Sequence, residues 1–337
     1  MTSLEEIAAG VRAGTVDPIE LVEQALARAD EAGSLNAVVH LDAEGARKAA
    51  ADHDRTGPLA GVPVLVKEIV EVEGLPYRCG SASMDEVGRH DADVVRRLRA
   101  AGAIVIGLSH SHEFAYGCTG TSNRVGPCRN PHDPSRMTGG SSSGAAAAVA
   151  AGVVPLAIGT DTAGSVRIPA ALCGVVGFKP AYNTLSADRV FPLSQSLDHV
   201  GVLTSTVADA AYALAALAGI RFDGRTTPPR LGVVTNPEYL EATPDVGTAW
   251  SAALTRLVAA GAVLTDVRLP DWADSFQTAA DLQGPEAVAN HAGRSTDLYQ
   301  QDVQERLREA ALVSVESYER AKGRASVITA ELSELLG

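Results

Sequence analysis

The sequence contains only four cysteines, and their spacing matches no metal or redox motif. Cys79, Cys118, Cys128 and Cys173 include no C-x-x-C pair, so they do not form a zinc-type ligand set. Cysteines of this kind in a cytosolic enzyme are normally reduced. We therefore expect free thiols, a cytoplasmic protein and no metal site.

Long apolar runs are also missing. The alanine-rich segment 144–159 is interrupted by Gly152, Pro155 and Gly159, and no run reaches the roughly 18 residues of a membrane-spanning helix. The segment Met1–Glu6 lacks a basic region followed by an apolar one, which a secretory signal would have. We expect neither membrane insertion nor secretion.

Positive charge is scarce. The chain has 28 Lys and Arg against 41 Asp and Glu, for a formal net charge of -13. Nucleic acids and anionic membranes bind clustered positive charge, so this balance excludes them as expected partners and favours a small-molecule substrate. Arg78 and Arg189 are candidates to anchor a substrate carboxylate, although arginines more commonly form surface ion pairs.

Two further kinds of site find little support. The sequence has no G-x-x-x-x-G-K-[ST] motif and no strand-linked G-x-G-x-x-G, so nucleotide binding is not indicated. His110, His112 and Glu113 lie close together, but two histidines two residues apart without a clear third ligand do not make a metal site. These histidines remain the alternative candidates for a catalytic base.

The alternation of helices and apolar strands predicts an α/β fold with a parallel or mixed sheet. With 337 residues and 46% hydrophobic residues, the chain can form a large core, and we expect one domain over 1–337. Residues 220–229 are a weak candidate for a boundary. Predicted helices cover 3–13, 18–32, 92–101, 143–151, 206–218, 244–260 and most of 274–335. Predicted strands cover 36–41, 62–70, 103–107, 153–158, 230–234 and 262–269.

One charged residue lies inside a predicted buried strand. Lys67 belongs to the apolar run Val62–Val70. Burial disfavours the cation and lowers a lysine pKa from about 10.4 towards the 7–8 that suits a general base. Alternatively, Lys67 extends to the surface or pairs with Glu68 or Glu71.

The segment Gly139-Gly-Ser-Ser-Ser-Gly144 places three hydroxyls just before a predicted helix. Such a segment serves as an anion cradle, a catalytic serine loop or a simple capping turn. Ser142 also satisfies G-x-S-x-G, but a nucleophile elbow requires a strand directly before it. The residues Pro134–Thr138 are typical of a loop.

A second polar turn, Gly159–Ser165, follows a predicted strand. A tight turn there can aim several backbone N–H groups at one point, which is the geometry of an oxyanion hole beside Ser165. A serine hydroxyl needs a base to attack at neutral pH. The turn therefore indicates a nucleophilic serine only together with a base such as Lys67.

Taken together and in this order, these segments resemble the amidase signature family. Gly61-Val-Pro-Val-Leu-Val-Lys67 is similar to its catalytic-lysine strand, and Gly139–Gly144 to its Gly/Ser loop. Asp161-Thr-Ala-Gly-Ser-Val-Arg167 is similar to its nucleophile segment. The resemblance covers about 3–220 and is most specific over 61–201, with further matches at 130–135, 169–180 and 196–201.

The resemblance implies a role for each matching residue. Lys67 would be the base, Ser141 the relay and Ser165 the nucleophile, with a cis peptide bond between Gly140 and Ser141 and no cofactor. Backbone N–H groups of the oxyanion hole would come from Thr162, Ala163, Gly164 and Ser165. The supporting residues would be Gly139, Gly140, Ser142, Asp161 and Arg167.

The sequence departs from the family pattern at several positions. Glu68 replaces a common Asp, Ser143 and Ala163 replace common glycines, and Ala145 replaces a frequent Ser or Gly. Ala163 would distort the turn if its position required positive φ. The Asp-Thr-Ala-Gly-Ser turn with its Gly/Ser loop also resembles allophanate hydrolases, which slightly favours a urea- or carbamate-like substrate.

Nothing after the helical region 274–335 resembles the strands with which family members usually continue. The resemblance therefore implies the amidase signature fold, in which a mixed central sheet is flanked by helices on both faces, here without its usual C-terminal part. Two alternatives to an independent amidase stay open: an amidotransferase A-type subunit that releases ammonia from glutamine for a partner, and a truncated, non-catalytic member that binds ligand. A homodimer also stays open.

Overall fold

The computed structural model describes residues 2–220, 222, 228–236 and 241–336. The chain divides into two compact units, one of Met1–Arg221 and Glu286–Glu309 and the other of Phe222–Pro285 and Ala310–Gly337. The weak boundary at 220–229 lies mostly outside the described residues. One domain over 1–337 stays a prediction.

The helices and strands follow one another in the alternation expected from the sequence. The helices of the described residues are α1 (Leu4–Ala13), α2 (Pro18–Glu31), α3 (Ala43–Ala51), α4 (Asp93–Ala100), α5 (Ser143–Ala150), α6 (Arg167–Cys173), α7 (Val207–Ala218), α8 (Pro244–Ala259), α9 (Trp272–Asn290), α10 (Gln301–Ala310) and α11 (Val315–Leu336). The strands are β1 (Val38–Leu41), β2 (Pro63–Lys67), β3 (Pro76–Tyr77), β4 (Glu86–Val87), β5 (Ile104–Ser109), β6 (Leu156–Asp161), β7 (Val176–Phe178), β8 (His199–Thr204), β9 (Arg230–Val234) and β10 (Val263–Val267).

A six-stranded mixed sheet forms the centre of the first unit, in the order β1-β5-β2-β6-β8-β7. Strands β5, β2 and β6 are parallel, whereas β1 pairs antiparallel with β5, and β8 pairs antiparallel with both β6 and β7. The predicted α/β fold with a mixed central sheet is confirmed.

Helices cover both faces of this sheet. Val64 and Val66 of β2 join a core cluster with residues of α1, α4 and α7. Leu65 points the other way, into a cluster with residues of α2, α3 and α5. Alternation along a strand buried on both faces explains why the central strands are continuous apolar runs.

The central strands end where the polar segments begin. Strand β2 ends at Lys67 instead of continuing to Val70, because the chain turns there and the Val70 amide donates to the Lys67 carbonyl at 2.9 Å. Strand β6 runs from Leu156 to Asp161, three residues later than predicted at each end, because pairing with β8 extends it through Gly159. Lys67 and Asp161 thus lie at the carboxyl ends of neighbouring parallel strands.

Several elements were not predicted from the sequence. Helix α3 is short and rich in alanine. Strands β7 and β8 are short or contain glycine, and β8 pairs with β6 whereas β7 pairs with β8. The capping box Ser3–Glu6 and the N-caps Asp17 and Thr206 are present as predicted.

In the second unit, β9 and β10 pair in parallel, from Arg230 opposite Val263 to Val234 opposite Val267. Helix α8 connects them, as the sequence predicts. Among the described residues of the whole chain, no helix is both long and apolar enough to cross a bilayer.

Candidate active site

The Lys67 amine is fully buried and bonds to two hydroxyls. Its Nζ donates to Ser141 Oγ at 2.6 Å and to Thr160 Oγ1 at 2.8 Å. Burial lowers the pKa of Lys67 to about 7, against the smaller opposing effect of nearby carboxylates, chiefly Asp161 and Asp198. The alternative of an extended surface lysine is excluded, because the side chain is 0% exposed.

The Gly/Ser loop approaches neighbouring backbone too closely for larger side chains. A Cβ at Gly140 would lie 2.8 Å from the Gly120 amide nitrogen, and Gly139 has a positive φ of 74°. The Gly140–Ser141 peptide bond is cis, which confirms that prediction. Ser141 is fully buried beside Lys67.

The other two serines of the loop have different partners. Ser142 Oγ bonds to the backbone of Thr160, and Ser143 Oγ bonds to the ring of His110. Helix α5 starts at Ser143, and its residues Ala145–Ala148 are buried in the core. Ser142 therefore supports the loop, whereas only Ser141 of the three contacts Lys67.

Ser165 lies in the turn that leads from β6 into α6, with 8% of its surface exposed. Its carbonyl accepts a hydrogen bond from the Ser142 amide at 3.1 Å. This bond joins the nucleophile segment to the Gly/Ser loop. The structure thus brings the segments of Lys67, Ser141 and Ser165 together.

Asp161 organises this turn from a fully buried position. Its carboxylate accepts from Arg167 Nε at 3.0 Å and Nη2 at 2.8 Å, and from the amides of Gly164 and Val166 at 2.8 and 3.1 Å. Burial alone would raise the pKa of Asp161, but the bonds and charge of Arg167 and these amides outweigh it and lower the pKa. A charged carboxylate therefore fixes the backbone around Ser165.

One predicted oxyanion donor already has a partner within the turn. The Gly164 amide donates to Asp161 Oδ1 at 2.8 Å. Gly164 also takes the positive φ of the turn, 120°. Ala163 is not among the described residues with positive φ, so its side chain does not strain the backbone.

The sequence analysis did not predict a role for two polar residues of the site. Thr160 contacts Lys67, and Asp198 Oδ1 accepts from Thr162 Oγ1 at 2.5 Å. Asp198 also accepts from the amides of Leu193 and Ser194, while burial raises its pKa. Asp198 lies in the matching segment 196–201, which was the available signal for it.

The alternative bases have other partners. His110 Nδ1 lies 2.8 Å from Ser143 Oγ and Nε2 lies 2.8 Å from the Gly126 carbonyl oxygen, and burial lowers its pKa to about 4. His112 pairs with Asp302. In the described ranges, no group of three or more His, Cys, Asp or Glu is arranged to hold a metal ion.

Arg78 and Arg189 form ion pairs, as the alternative interpretation held. Arg78 Nε lies 2.6 Å from Asp85 Oδ1, and Arg189 Nη1 lies 3.5 Å from Glu71 Oε2. The four cysteines are unpaired, and Cys118 is the exposed one.

Comparison with known proteins agrees with this geometry. A family model described as Amidase matches residues 20–316. The A subunit of the glutamyl-tRNA(Gln) amidotransferase from Deinococcus radiodurans is 37% identical over 308 residues, which cover 85% of this chain and 64% of that protein. The chain thus spans less than two thirds of the length of the first curated relatives it matches.

Solved structures share the fold. A crystal structure of an amidase superposes with a TM-score of 0.92 at 36% identity, covering 98% of this chain and 79% of the other. The native peptide amidase from Stenotrophomonas maltophilia superposes with a TM-score of 0.83 at 31% identity, covering 96% and 78%.

Proposed function

The chain belongs to the amidase signature family, and from this premise we propose that it hydrolyses a carbon–nitrogen bond of a small amide, carbamate or urea-like substrate. The reaction would pass through an acyl-enzyme on Ser165. The observation that carries this proposal is the 2.6 Å hydrogen bond between the buried amine of Lys67 and the hydroxyl of Ser141.

The proposed first step is attack by Ser165 on the substrate carbonyl. Neutral Lys67 accepts the proton through Ser141, and a pKa of about 7 leaves a large neutral fraction at physiological pH. The same relay returns that proton to the leaving amine as the C–N bond breaks. Water then attacks the acyl-enzyme, and Ser165 leaves with its proton restored.

The tetrahedral oxyanion would be stabilised by backbone N–H groups of the turn. We assign this role to Thr162, Ala163 and Ser165, since the Gly164 amide is taken by Asp161. Asp161 and Arg167 keep the turn in place, and Gly139, Gly140 and Ser142 keep the relay loop in place. These residues need no metal or organic cofactor for the reaction.

A second candidate function is that of an amidotransferase A-type subunit. The name of the relative from Deinococcus radiodurans supports it, and the same triad would then release ammonia from glutamine for a partner protein. Glutamine-dependent ammonia release that requires a co-purifying partner would favour this candidate. Turnover of simple amides by the chain alone would favour the independent amidase.

The experiment that tests the proposal is a screen of amides, carbamates and ureas for released amine, run beside Ser165→Ala. We expect at least one substrate whose turnover disappears in the variant. Turnover that persists in Ser165→Ala would contradict the proposal. Failure of Ser165 to react with a fluorophosphonate probe would favour the non-catalytic alternative. A cytoplasmic location and a homodimer remain predictions.

A further inference from the structure

The backbone of the relay serine is held by a residue outside the triad. The His112 amide donates to the Ser141 carbonyl oxygen at 3.0 Å. The position of Ser141, and with it the hydroxyl that contacts Lys67, therefore depends on where His112 is held. Its imidazole is 1% exposed, so that position is set inside the protein.

A carboxylate from a distant part of the chain holds the imidazole. His112 Nε2 lies 2.9 Å from Asp302 Oδ2, and Thr119 Oγ1 lies 3.4 Å from Nδ1. Burial lowers the pKa of His112 despite the carboxylate, which favours the neutral ring. We assign the proton to Nε2, which donates to Asp302, and Nδ1 then accepts from Thr119.

Asp302 is itself well fixed. Its Oδ1 accepts from Ser122 Oγ at 2.7 Å, and it lies in the first turn of α10. Two residues earlier, the Gln300 amide donates to Glu113 Oε2 at 2.7 Å. The start of α10 is thus attached at three points to the segment that carries His112.

The imidazole packs directly against Gly117. A Cβ at Gly117 would lie 2.2 Å from His112 Nε2, so the ring fits against a glycine that allows no side chain. The Ala115 amide also donates to the His112 carbonyl at 2.9 Å. His112 is therefore constrained at its amide, its carbonyl and its ring.

We propose that Asp302 is a positioning residue for the relay serine, acting through His112 on Ser141. This inference rests on the proposed function, because Ser141 needs exact placement only if it relays a proton. A displacement of about 1 Å in a reacting group can cost about 10²-fold in rate. Asp302 acts through the ring of His112, so we expect it to change the rate and not the binding.

The test uses the full chain and a fluorophosphonate probe that labels Ser165, with the maximal labelling rate and the probe affinity measured separately. The variants are Asp302→Ala, His112→Ala and His112→Gln, the last of which keeps an N–H donor near the position of Nε2. Glu305→Gln is the matched control, since Glu305 is an exposed carboxylate on the same helix and accepts a hydrogen bond from Gln301. Circular dichroism establishes that each variant is folded at the assay temperature.

We expect Asp302→Ala and His112→Ala to lower the maximal labelling rate by about 10- to 100-fold with little change in probe affinity. His112→Gln should recover much of the loss, and Glu305→Gln should match the wild type. Hydrogen exchange at the His112 amide should accelerate in Asp302→Ala.

Other outcomes separate the two proposals. Equal maximal rates in wild type and Asp302→Ala, or equal losses in His112→Ala and His112→Gln, would overturn the positioning role alone. A wild-type protein that is not labelled at Ser165 would overturn the proposed function and this inference together.

Discussion

Ser142 Oγ donates to the Thr160 carbonyl at 3.1 Å and accepts from the Thr160 amide at 3.2 Å. Both bonds are buried, and they fasten the Gly/Ser loop to β6. The hydroxyl of Ser141, one residue earlier, instead lies against the Lys67 amine. Adjacent serines thus have separate tasks, one in holding the loop and one at the proposed relay.

The separate roles of Ser141 and Ser142 predict different consequences for their alanine substitutions. Ser141→Ala should lower kcat by at least about 10²-fold, as expected for loss of a proton relay. Ser142→Ala should cost less in kcat but lower the free energy of unfolding by about 1–3 kcal/mol, because two buried backbone groups lose their partner. Kinetics and denaturant titration of both variants check this, and a larger kcat loss in Ser142→Ala would reverse the assignment.

The proposed role of Lys67 as the base predicts a pH dependence of the rate. With the pKa of Lys67 at about 7, kcat/KM should rise with pH through that region as the amine loses its proton. Lys67→Ala should lose both the activity and this limb. A residual activity in Lys67→Ala that keeps the same limb would show that another group is the base.

The same pKa predicts a pH dependence of stability. Lys67 titrates near 7 in the folded protein and near the ordinary 10.5 when unfolded, so between these values the unfolded chain binds more protons. The free energy of unfolding should therefore gain a positive slope with pH from about 7 to about 10.5. Lys67→Met should lack this contribution, and identical slopes in the two proteins would show that the buried amine is not neutral.

The ion pair of Arg167 with Asp161 predicts that removing Arg167 changes the pH of acid unfolding. The wild-type pKa of Asp161 is lowered, so its contribution to stability is present above the ordinary carboxyl value and is lost as pH falls through the folded value. Arg167→Ala removes one of the groups that lower that pKa, so we expect the pKa of Asp161 to rise and acid unfolding to occur at higher pH. At neutral pH we expect a loss of about 1–2 kcal/mol, limited by the exposure of Arg167.

Arg167→Lys is the matched variant for this measurement. It keeps the charge but cannot form both bonds of the planar guanidinium, so its acid midpoint should fall between those of the wild type and Arg167→Ala. An unchanged midpoint in Arg167→Ala would mean that the backbone amides alone keep Asp161 charged.

The parts of the site that the sequence reveals are those carried by local patterns. A lysine in an apolar strand and a Gly/Ser loop before a helix are visible along the chain, and the contact of Lys67 with Ser141 is confirmed. Thr160 and Asp198 were missed because their contacts join residues far apart in sequence: Thr160 lies 93 positions from Lys67, and Asp198 lies 36 positions from Thr162. Asp302 lies 190 positions from His112, a separation over which periodicity carries no information.

The predicted ends of β6 were wrong for a related reason. Gly159 and Asp161 have turn-forming character, yet the antiparallel partner β8 keeps them in the sheet. The oxyanion turn therefore starts later than expected, and its carboxylate occupies the Gly164 amide. Which amides remain for a substrate depends on this tertiary arrangement and not on composition.

The central claim is that Ser165 is the nucleophile activated by Lys67 through Ser141. The most direct measurement is peptide mapping by mass spectrometry after reaction with a fluorophosphonate. We predict one adduct on Ser165, none in Ser165→Ala together with at least about a 10³-fold loss of kcat, and slow labelling in Lys67→Ala and Ser141→Ala. An adduct on another serine, or undiminished labelling and turnover in Ser165→Ala, would contradict the account.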